Sequence, residues 1–553
     1  MTFSNHGSAN VARTTLDVVL FCLVVAVYGF FHGGGWHNQN SRFDALVAFV
    51  EPGTPDHGSF RIDRFRRDKG GRLVEPSERV GNTMDWSWYP PAGRASPNLE
   101  LGQVQGHYYS NKAPGPILLG IPVYAALYFG EGWLGLDPHA GTLVEFNLYA
   151  VNFVVSVLVV AVGIVVFRRL LVLVGCGDAW AVFLALVLAF ATLMFPYSTQ
   201  LWGHPTAAAF VIMAVYGLVR DTPRSLAAAG LFVGFAALSD YLAIFVVLAL
   251  GTMIAVTRPR RLVCYLVGGL APLAVFMAYH WICFGSPLVT AMTFTAEEFK
   301  REGHAIGFFG SVSVNHVFAL LTSRQRGVLV HMPILILSLV GIVRWLRSHP
   351  RDRLLWLCIS IIVAFILINA SFNGWHAGAV VGSRYQIVAL PFWVICLSRL
   401  PAAGLWRRAA LVLAVLSAFN MLAVAAVSPN CLPWSPDWSD PSQSPQYANP
   451  FWTPGQPADL AGHAAASAQH PLFYDTVYGY TYLQFWTGGL AAEQIRKLMF
   501  LGIHRADYWH PTNVGLVLGL PGLASLTPLL LVGGLGLWLL RRALTPHVNA
   551  ASE

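Results

Sequence analysis

Charge is what this sequence has least of. Of its 553 residues only 11% are Asp, Glu, Lys or Arg, while 55% are hydrophobic. Soluble domains carry about 25% charged residues, so an ordinary soluble enzyme, a disordered chain and a nucleic-acid binder are excluded. Cysteine pattern is missing too. The seven cysteines (Cys22, Cys176, Cys264, Cys283, Cys358, Cys396 and Cys431) fall mostly inside apolar runs, with no CxxC pair and no regular spacing. That supports neither a disulfide framework nor a zinc site and leaves small buried hydrophobes. No internal repeat, low-complexity tract or pair of broken apolar segments is present, which argues against a repeat-built transporter. The apolar runs also hold almost no acids in their middles, where a proton or ion pathway would need them.

What is there is a series of apolar runs long enough, with their flanks, to cross a bilayer, which takes about 17–25 residues. They predict spans at 14–32, 143–167, 178–196, 203–219, 225–239, 241–256, 262–283, 328–347, 353–370, 385–398, 409–427 and 514–540. Arginines follow every second span: Arg168 and Arg169, Arg220 and Arg224, Arg258, Arg260 and Arg261, Arg344 to Arg353, Arg399 to Arg408, and Arg541 and Arg542. With Arg13 they place both termini and all these loops in the cytoplasm by the positive-inside rule. The short outward loops carry Arg384 as their only Lys or Arg, and Asp240 sits in one tight outward turn.

Residues 113–130 are apolar as well. If they crossed, every later arginine loop would change sides. They also contain Pro114, Pro116 and Pro122, which kink or break a helix. The expectation is a helix in the outer interface. The charges then divide into 17 Lys/Arg and 5 Asp/Glu inside, 18 and 22 outside. The net charge of +8 is thus a consequence of topology and not a mark of nucleic-acid binding.

The expected organisation is an all-α polytopic membrane protein of about twelve transmembrane helices with cytoplasmic termini. Residues 1–31 form a first helix that is retained, since no A-x-A-like cleavage site follows it. Residues 32–142 form a large outward loop with interfacial helices, 143–427 the bundle, 428–513 an outward cap, and 514–553 the last helix and tail. The cap is rich in Pro, Trp and Tyr, with short helices such as 490–501 at the membrane surface. A third outward segment, 284–327, is of moderate size.

The residues that can carry chemistry lie outside. They are Asn38-Gln39-Asn40-Ser41-Arg42-Phe43-Asp44, then Gly81-Asn82-Thr83-Met84-Asp85-Trp86, then Gly106-His107-Tyr108-Tyr109-Ser110-Asn111-Lys112-Ala113-Pro114-Gly115. Later come Ser323-Arg324-Gln325-Arg326-Gly327, Gly374-Trp375-His376-Ala377-Gly378 and Gly382-Ser383-Arg384-Tyr385-Gln386. This set, on this topology, resembles the GT-C superfamily of polytopic glycosyltransferases, which includes the protein O-mannosyltransferases and the lipid A aminoarabinose transferase. The first and third stretches are similar to those of bacterial members. The resemblance implies a cytoplasmic-membrane enzyme facing outward. It would move a sugar from a polyprenyl-phosphate donor to a hydroxyl of a glycan, lipid or protein acceptor, without a cofactor. One departure stands out. Many members carry an Asp-Glu pair just before the Arg-aromatic dipeptide, and here those positions hold Gln39 and Asn40, neither of which accepts a proton.

Such a transfer needs a base for the incoming hydroxyl, cations for the phosphate as charge builds on the leaving group, an apolar groove for the polyprenyl chain, and aromatic and amide side chains for the sugar. The base is expected to be Asp85, whose aromatic neighbours would raise its pKa by desolvation, or Asp44, which otherwise reads as a helix-capping acid. Asp63, among Arg61, Arg64, Arg66 and Arg67, reads as a surface ion-pair partner. Lys112, Arg384 and Arg326 are expected at the phosphate, an Arg fork being suited to it; their bland alternative is contact with lipid headgroups. His107, Tyr108, Tyr109 and Asn40 are expected at the sugar, the tyrosines being equally at home as interface aromatics. His204 and His331 read as structural, and no His, Asp or Glu spacing is specific for a metal. Three rival readings stay open: a transporter or lipid flippase, a polymerase or ligase using a diphosphate-linked donor, and a non-catalytic relative.

Overall fold

A computed structural model describes residues 3–35, 37–66, 73, 83, 85–89, 106–295, 300, 302–323, 326–375, 377, 380–401, 404–427, 429, 512–520 and 522–549. The cap and its helix at 490–501 lie outside the described residues, as do Arg67, Asp68, Arg324, Gln325 and His376. In chain order the helices are α1 (Phe3–Gly29), α2 (His37–Val50), α3 (Gly115–Trp133), α4 (Gly141–Asn152), α5 (Val159–Leu173), α6 (Asp178–Phe190), α7 (Met194–Ser198), α8 (Gly203–Arg220), α9 (Pro223–Ser239) and α10 (Ile244–Thr257). There follow α11 (Leu262–Phe284), α12 (Val314–Thr322), α13 (Val328–His331), α14 (Ile336–Ser348), α15 (Arg353–Ser371), α16 (Leu390–Leu397), α17 (Gly404–Val427), α18 (Val514–Val517) and α19 (Thr527–Asn549).

The chain is mostly helical, and each of the twelve apolar runs falls on helix. Among the described residues five helices are long and apolar enough to cross a membrane: Gly141–Leu173, Pro259–Phe284, Arg353–Ser371, Gly404–Ala426 and Ala524–Thr545. The all-α expectation needs one correction. Two small antiparallel sheets are present, β1 (Phe31–His32) with β4 (Thr512–Asn513), and β2 (Trp86–Tyr89) with β3 (His107–Ser110). The first ties the end of α1 to the start of α18. The second pairs Trp86 with Ser110 and Tyr89 with His107, so the aromatic residues that look like interface anchors in the sequence alternate across a ribbon instead.

The bundle is built on close helix contacts. α8 is buried along almost its whole length and packs on α5 and α9. At the α9–α11 crossing a Cβ on Gly230 would lie 1.9 Å from Tyr265 O, and one on Gly268 1.8 Å from Ala227 O. Only glycine lets the two backbones touch there, the device of helix pairs that lack a hydrophobic driving force. The opposite face of α11 leaves Leu266, Val267, Leu270 and Leu273 exposed.

The bundle has two distinct ends. α5 and α8 run in the same direction, since Thr206 Oγ1 donates to Val155 O and Gly163 faces Ala209. At their shared C-terminal end Arg168 pairs with Asp17 at 2.6 Å and with Asp178 at 3.1 Å, and Arg169 pairs with Asp17 at 2.7 Å. Asp221, just after α8, pairs with Arg258 and Arg261. The other end gathers α2, the ribbon, the 191–203 connection and the turns at 240 and 384.

Residues 113–130 form α3. Gly120 abuts Leu46 and Val151, and eleven residues on, Glu131 Oε2 accepts from Asn147 Nδ2 at 3.0 Å. The two contacts show that α3 and α4 run in opposite directions.

Candidate functional site

α2 begins at His37, eight residues before the apolar run that announces it, and Asn38, Gln39, Asn40, Ser41, Arg42 and Asp44 are all buried on it. A polar helix turn is stable inside a protein only when its groups find partners. Arg42 Nη1 donates to Asn38 O at 3.1 Å and also to Asn38 Oδ1. Gln39 Oε1 accepts from Leu201 N at 2.9 Å. Ser41 Oγ lies 2.7 Å from Ser110 Oγ and donates to Asp85 O. Gln39 is thus a backbone anchor between α2 and the 191–203 connection.

Those contacts place the ribbon ends, with Asp85 and Lys112, over the first turn of α2. Lys112 Nζ lies 2.9 Å from Asp85 Oδ1. Both side chains are partly exposed, at 18% and 23%, so the pair borders solvent-accessible space. The expectation that desolvation raises Asp85 is overturned. Burial does push upward, but Lys112, His37 and Arg384 outweigh it and hold the carboxyl below its usual value. Lys112 is twenty-seven residues away in sequence, and the β2–β3 register is what brings it alongside. Burial, opposed by Asp85 and reinforced by Arg384, brings the Lys112 ammonium down to about 8. Burial likewise takes the Arg42 guanidinium down to about 10, against the pull of Asp85 and Asp240, and the His37 imidazole down to about 4.

The third wall comes from the connection between α6 and α8. A π-helical turn at Phe153–Leu158 joins α4 to α5. Beside it, Asn152 Nδ2 donates to Ser198 O and Ser156 Oγ to Gln200 O. Gln200 in turn holds Gly33 O and the Trp202 indole. The Trp202 ring then lies 4.5 Å from the Arg384 guanidinium, with Tyr385 on a further side at 5.2 Å. Arg384 Nε is buried without a hydrogen-bond partner among the described residues. Next to Trp202, His204 Nδ1 lies 2.6 Å from Asp240 Oδ2, and a Cβ on Gly203 would sit 3.2 Å from Arg42 Nη2.

The site is therefore a cluster of Asp85, Lys112, Arg42, Arg384, Asp240 and His204, drawn from six separate parts of the chain. Three cationic side chains face two carboxylates, one positive charge in excess. An electropositive cluster with a stacked guanidinium suits a singly charged phosphodiester. Among the described residues no three His, Cys, Asp or Glu side chains converge to hold a metal.

The remaining expected residues go elsewhere. Asp44 is buried two positions after Arg42, about 200° around the helix, so the two cannot face one site. Arg326 is fully buried and its guanidinium donates to Val380 O, while its own carbonyl accepts from Ser383 Oγ at 2.6 Å. It braces the segment that carries Arg384 and lies within electrostatic reach of it. Tyr108 and Tyr109 are core residues, packed on Trp88 and Phe284 respectively, and do not line the cluster. Asn40 is buried on α2. His107 is at the far end of β3 from Lys112, with Nδ1 2.7 Å from Asp63 Oδ2. Asp63 is not a surface ion-pair partner: it is buried and also accepts from Tyr108 N at 2.7 Å.

Sequence reasoning missed Arg42, Trp202 and the His204–Asp240 pair. One signal was available. Asp240 and Arg384 are the scarce charges of the short outward loops, and both come to this cluster. The chain matches no protein-family model, and no curated protein matches it in sequence comparison.

Proposed function

We propose that this chain is a membrane glycosyltransferase of the GT-C type, which transfers a sugar from a polyprenyl-phosphate donor to an acceptor hydroxyl at the outer face of the cytoplasmic membrane. The observation that carries the reading is the Lys112–Asp85 pair at 2.9 Å, lying within electrostatic reach of Arg384 and Arg42. Lys112, Arg384 and Arg42 would hold the phosphate and stabilise the charge that develops on it as the sugar leaves. Asp85 holds Lys112 in place. Tyr385, half-buried beside Arg384, offers aromatic surface to the sugar, while the fully buried Trp202 backs the guanidinium. The acceptor is a hydroxyl of a glycan, lipid or protein.

The topology in this reading has twelve spans, with the ion-paired arginine end in the cytoplasm and the cluster at the outer membrane border. The common direction of α5 and α8 supports it, since it puts Arg168, Arg169 and Arg220 on one side. Pro114, Pro116 and Pro122 in and before α3 fit a helix in the outer interface.

The test is competition binding. Purified protein in lipid nanodiscs is titrated with tritiated undecaprenyl phosphate against unlabelled undecaprenyl diphosphate and phosphatidic acid. Preference for the monophosphate, lost in Lys112→Ala and Arg384→Ala, is expected. Preference for the diphosphate would favour a polymerase or ligase. Equal binding of phosphatidic acid would overturn the reading. A translocation assay with labelled lipid in vesicles separates out the flippase, which would move the lipid without cleaving it.

A further inference from the structure

With Asp85 engaged by Lys112, the proton of an attacking hydroxyl needs another destination. The second residue of α8 provides one. Asp240 fixes His204 through Nδ1 at 2.6 Å and is itself fixed by Leu242 N, which donates to Oδ1 at 3.0 Å. Both residues are buried. An imidazole whose Nδ1–H is held by a carboxylate presents Nε2 as its acceptor nitrogen. His204 Nε2 has no hydrogen-bond partner among the described residues, and it is not among the buried polar atoms shut off from solvent. The ring stands edge-on to Tyr385 at 5.6 Å and beside Trp202 at 5.9 Å, the same two rings that flank Arg384. Arg42 touches the preceding residue, Gly203. The charged groups around the imidazole are thus Asp240, Arg42 and Arg384, with the Tyr385 hydroxyl.

We propose that the His204–Asp240 pair is the proton acceptor of this site, a role that rests on the transferase reading above. The acceptor oxygen forms a bond to the anomeric carbon while its proton passes to His204 Nε2. The bond from the anomeric carbon to the phosphate oxygen breaks, and its electron pair leaves as polyprenyl phosphate, now a dianion held by Arg384, Arg42 and Lys112. Asp240 balances the imidazolium. The pair supplies a proton acceptor that Gln39 and Asn40, both amides, cannot.

The experiment uses diethyl pyrocarbonate, which acylates neutral imidazole nitrogen, on the full protein in nanodiscs with and without undecaprenyl phosphate. Lipid occupancy is read by native mass spectrometry and modification by peptide mapping. The expected result is carbethoxylation of His204 in the lipid-free protein that slows at least about tenfold when the site is saturated, as mass action requires of a shared site. His204→Gln, which keeps an amide for Asp240, should retain undecaprenyl phosphate. Its turnover of the lipid-linked sugar that co-purifies with the wild type should fall by about 10²–10⁴-fold, the range for a lost base. Bound lipid with no protection of His204, an unreactive His204, or wild-type turnover in His204→Gln would each overturn the proposal and leave the phosphate site standing. Lipid affinity falling in His204→Gln as far as in Arg384→Ala would make His204 a phosphate ligand instead, and also overturn it. No binding of undecaprenyl phosphate to the wild type would overturn the transferase reading itself.

Discussion

Truncating Arg384 to alanine is expected to weaken undecaprenyl phosphate binding by one to two orders of magnitude. The guanidinium lies 4.5 Å from the Trp202 ring and keeps Nε without a partner among the described residues, so it is oriented before any ligand arrives. A charge-assisted hydrogen bond to a phosphate oxygen is worth about 1.5–3 kcal/mol. At about 1.4 kcal/mol per decade, its loss is roughly a 10- to 150-fold weaker Kd. Arg384→Lys keeps the charge but gives up the planar fork and its stack on Trp202, and should fall between the two. The assay is native mass spectrometry of protein in nanodiscs titrated with undecaprenyl phosphate, with a thermal melt to check folding. Wild-type affinity in Arg384→Ala with an unchanged melt would refute the reasoning.

Other outcomes follow from the same geometry. Affinity for undecaprenyl phosphate should fall as pH rises through about 8, because the anion binds the ammonium form of Lys112 and that form is lost there; a flat titration between about pH 6.5 and 9 contradicts the placement. Asp85→Asn removes the carboxylate 2.9 Å from Lys112, so it should hold or tighten lipid phosphate binding and start the pH-dependent decline lower; a loss of about tenfold or more would mean that Asp85 does something other than position Lys112. Single cysteines at Gly132 and Thr222, in a background without native cysteine, should label from opposite faces of the membrane, Gly132 from outside. A Cβ at Gly132 meets nothing within 4 Å, and labelling of both from one side would mean that α3 crosses.

Much of the architecture was legible because bilayer-crossing helices announce themselves by composition. Each apolar run became helix, and the proline-marked segment at 113–130 became α3. The ribbon was not legible, because Trp86 to Tyr89 and His107 to Ser110 are separated by a long intervening stretch and each reads as a cluster of interface aromatics. That omission carried into the site. Without the β2–β3 register nothing placed Lys112 on Asp85, and Asp85 was taken for an acid with no cation near it. Arg384 was found from its scarcity in the short outward loops, an electrostatic signal that survives folding, and Lys112 from its place in the 106–115 stretch. Arg326, also at the outward end of a span, donates from its guanidinium to Val380 O. Local sequence does not distinguish an arginine held on a backbone carbonyl from one stacked on an aromatic ring. Trp202 and His204 lie within apolar or weakly polar sequence, and only the long-range anchoring of Gln200 and Asp240 gives them a role.

The most direct test of a polyprenyl-phosphate site is to ask what the protein carries. Lipids extracted from protein purified in mild detergent are analysed by liquid chromatography and mass spectrometry, beside the same extract from the Lys112→Ala/Arg384→Ala double variant. The account predicts a polyprenyl phosphate, free or joined to one sugar, near stoichiometric in the wild type and depleted in the variant. Bulk phospholipids alone in both samples, with the variant folded as the wild type is, would contradict it.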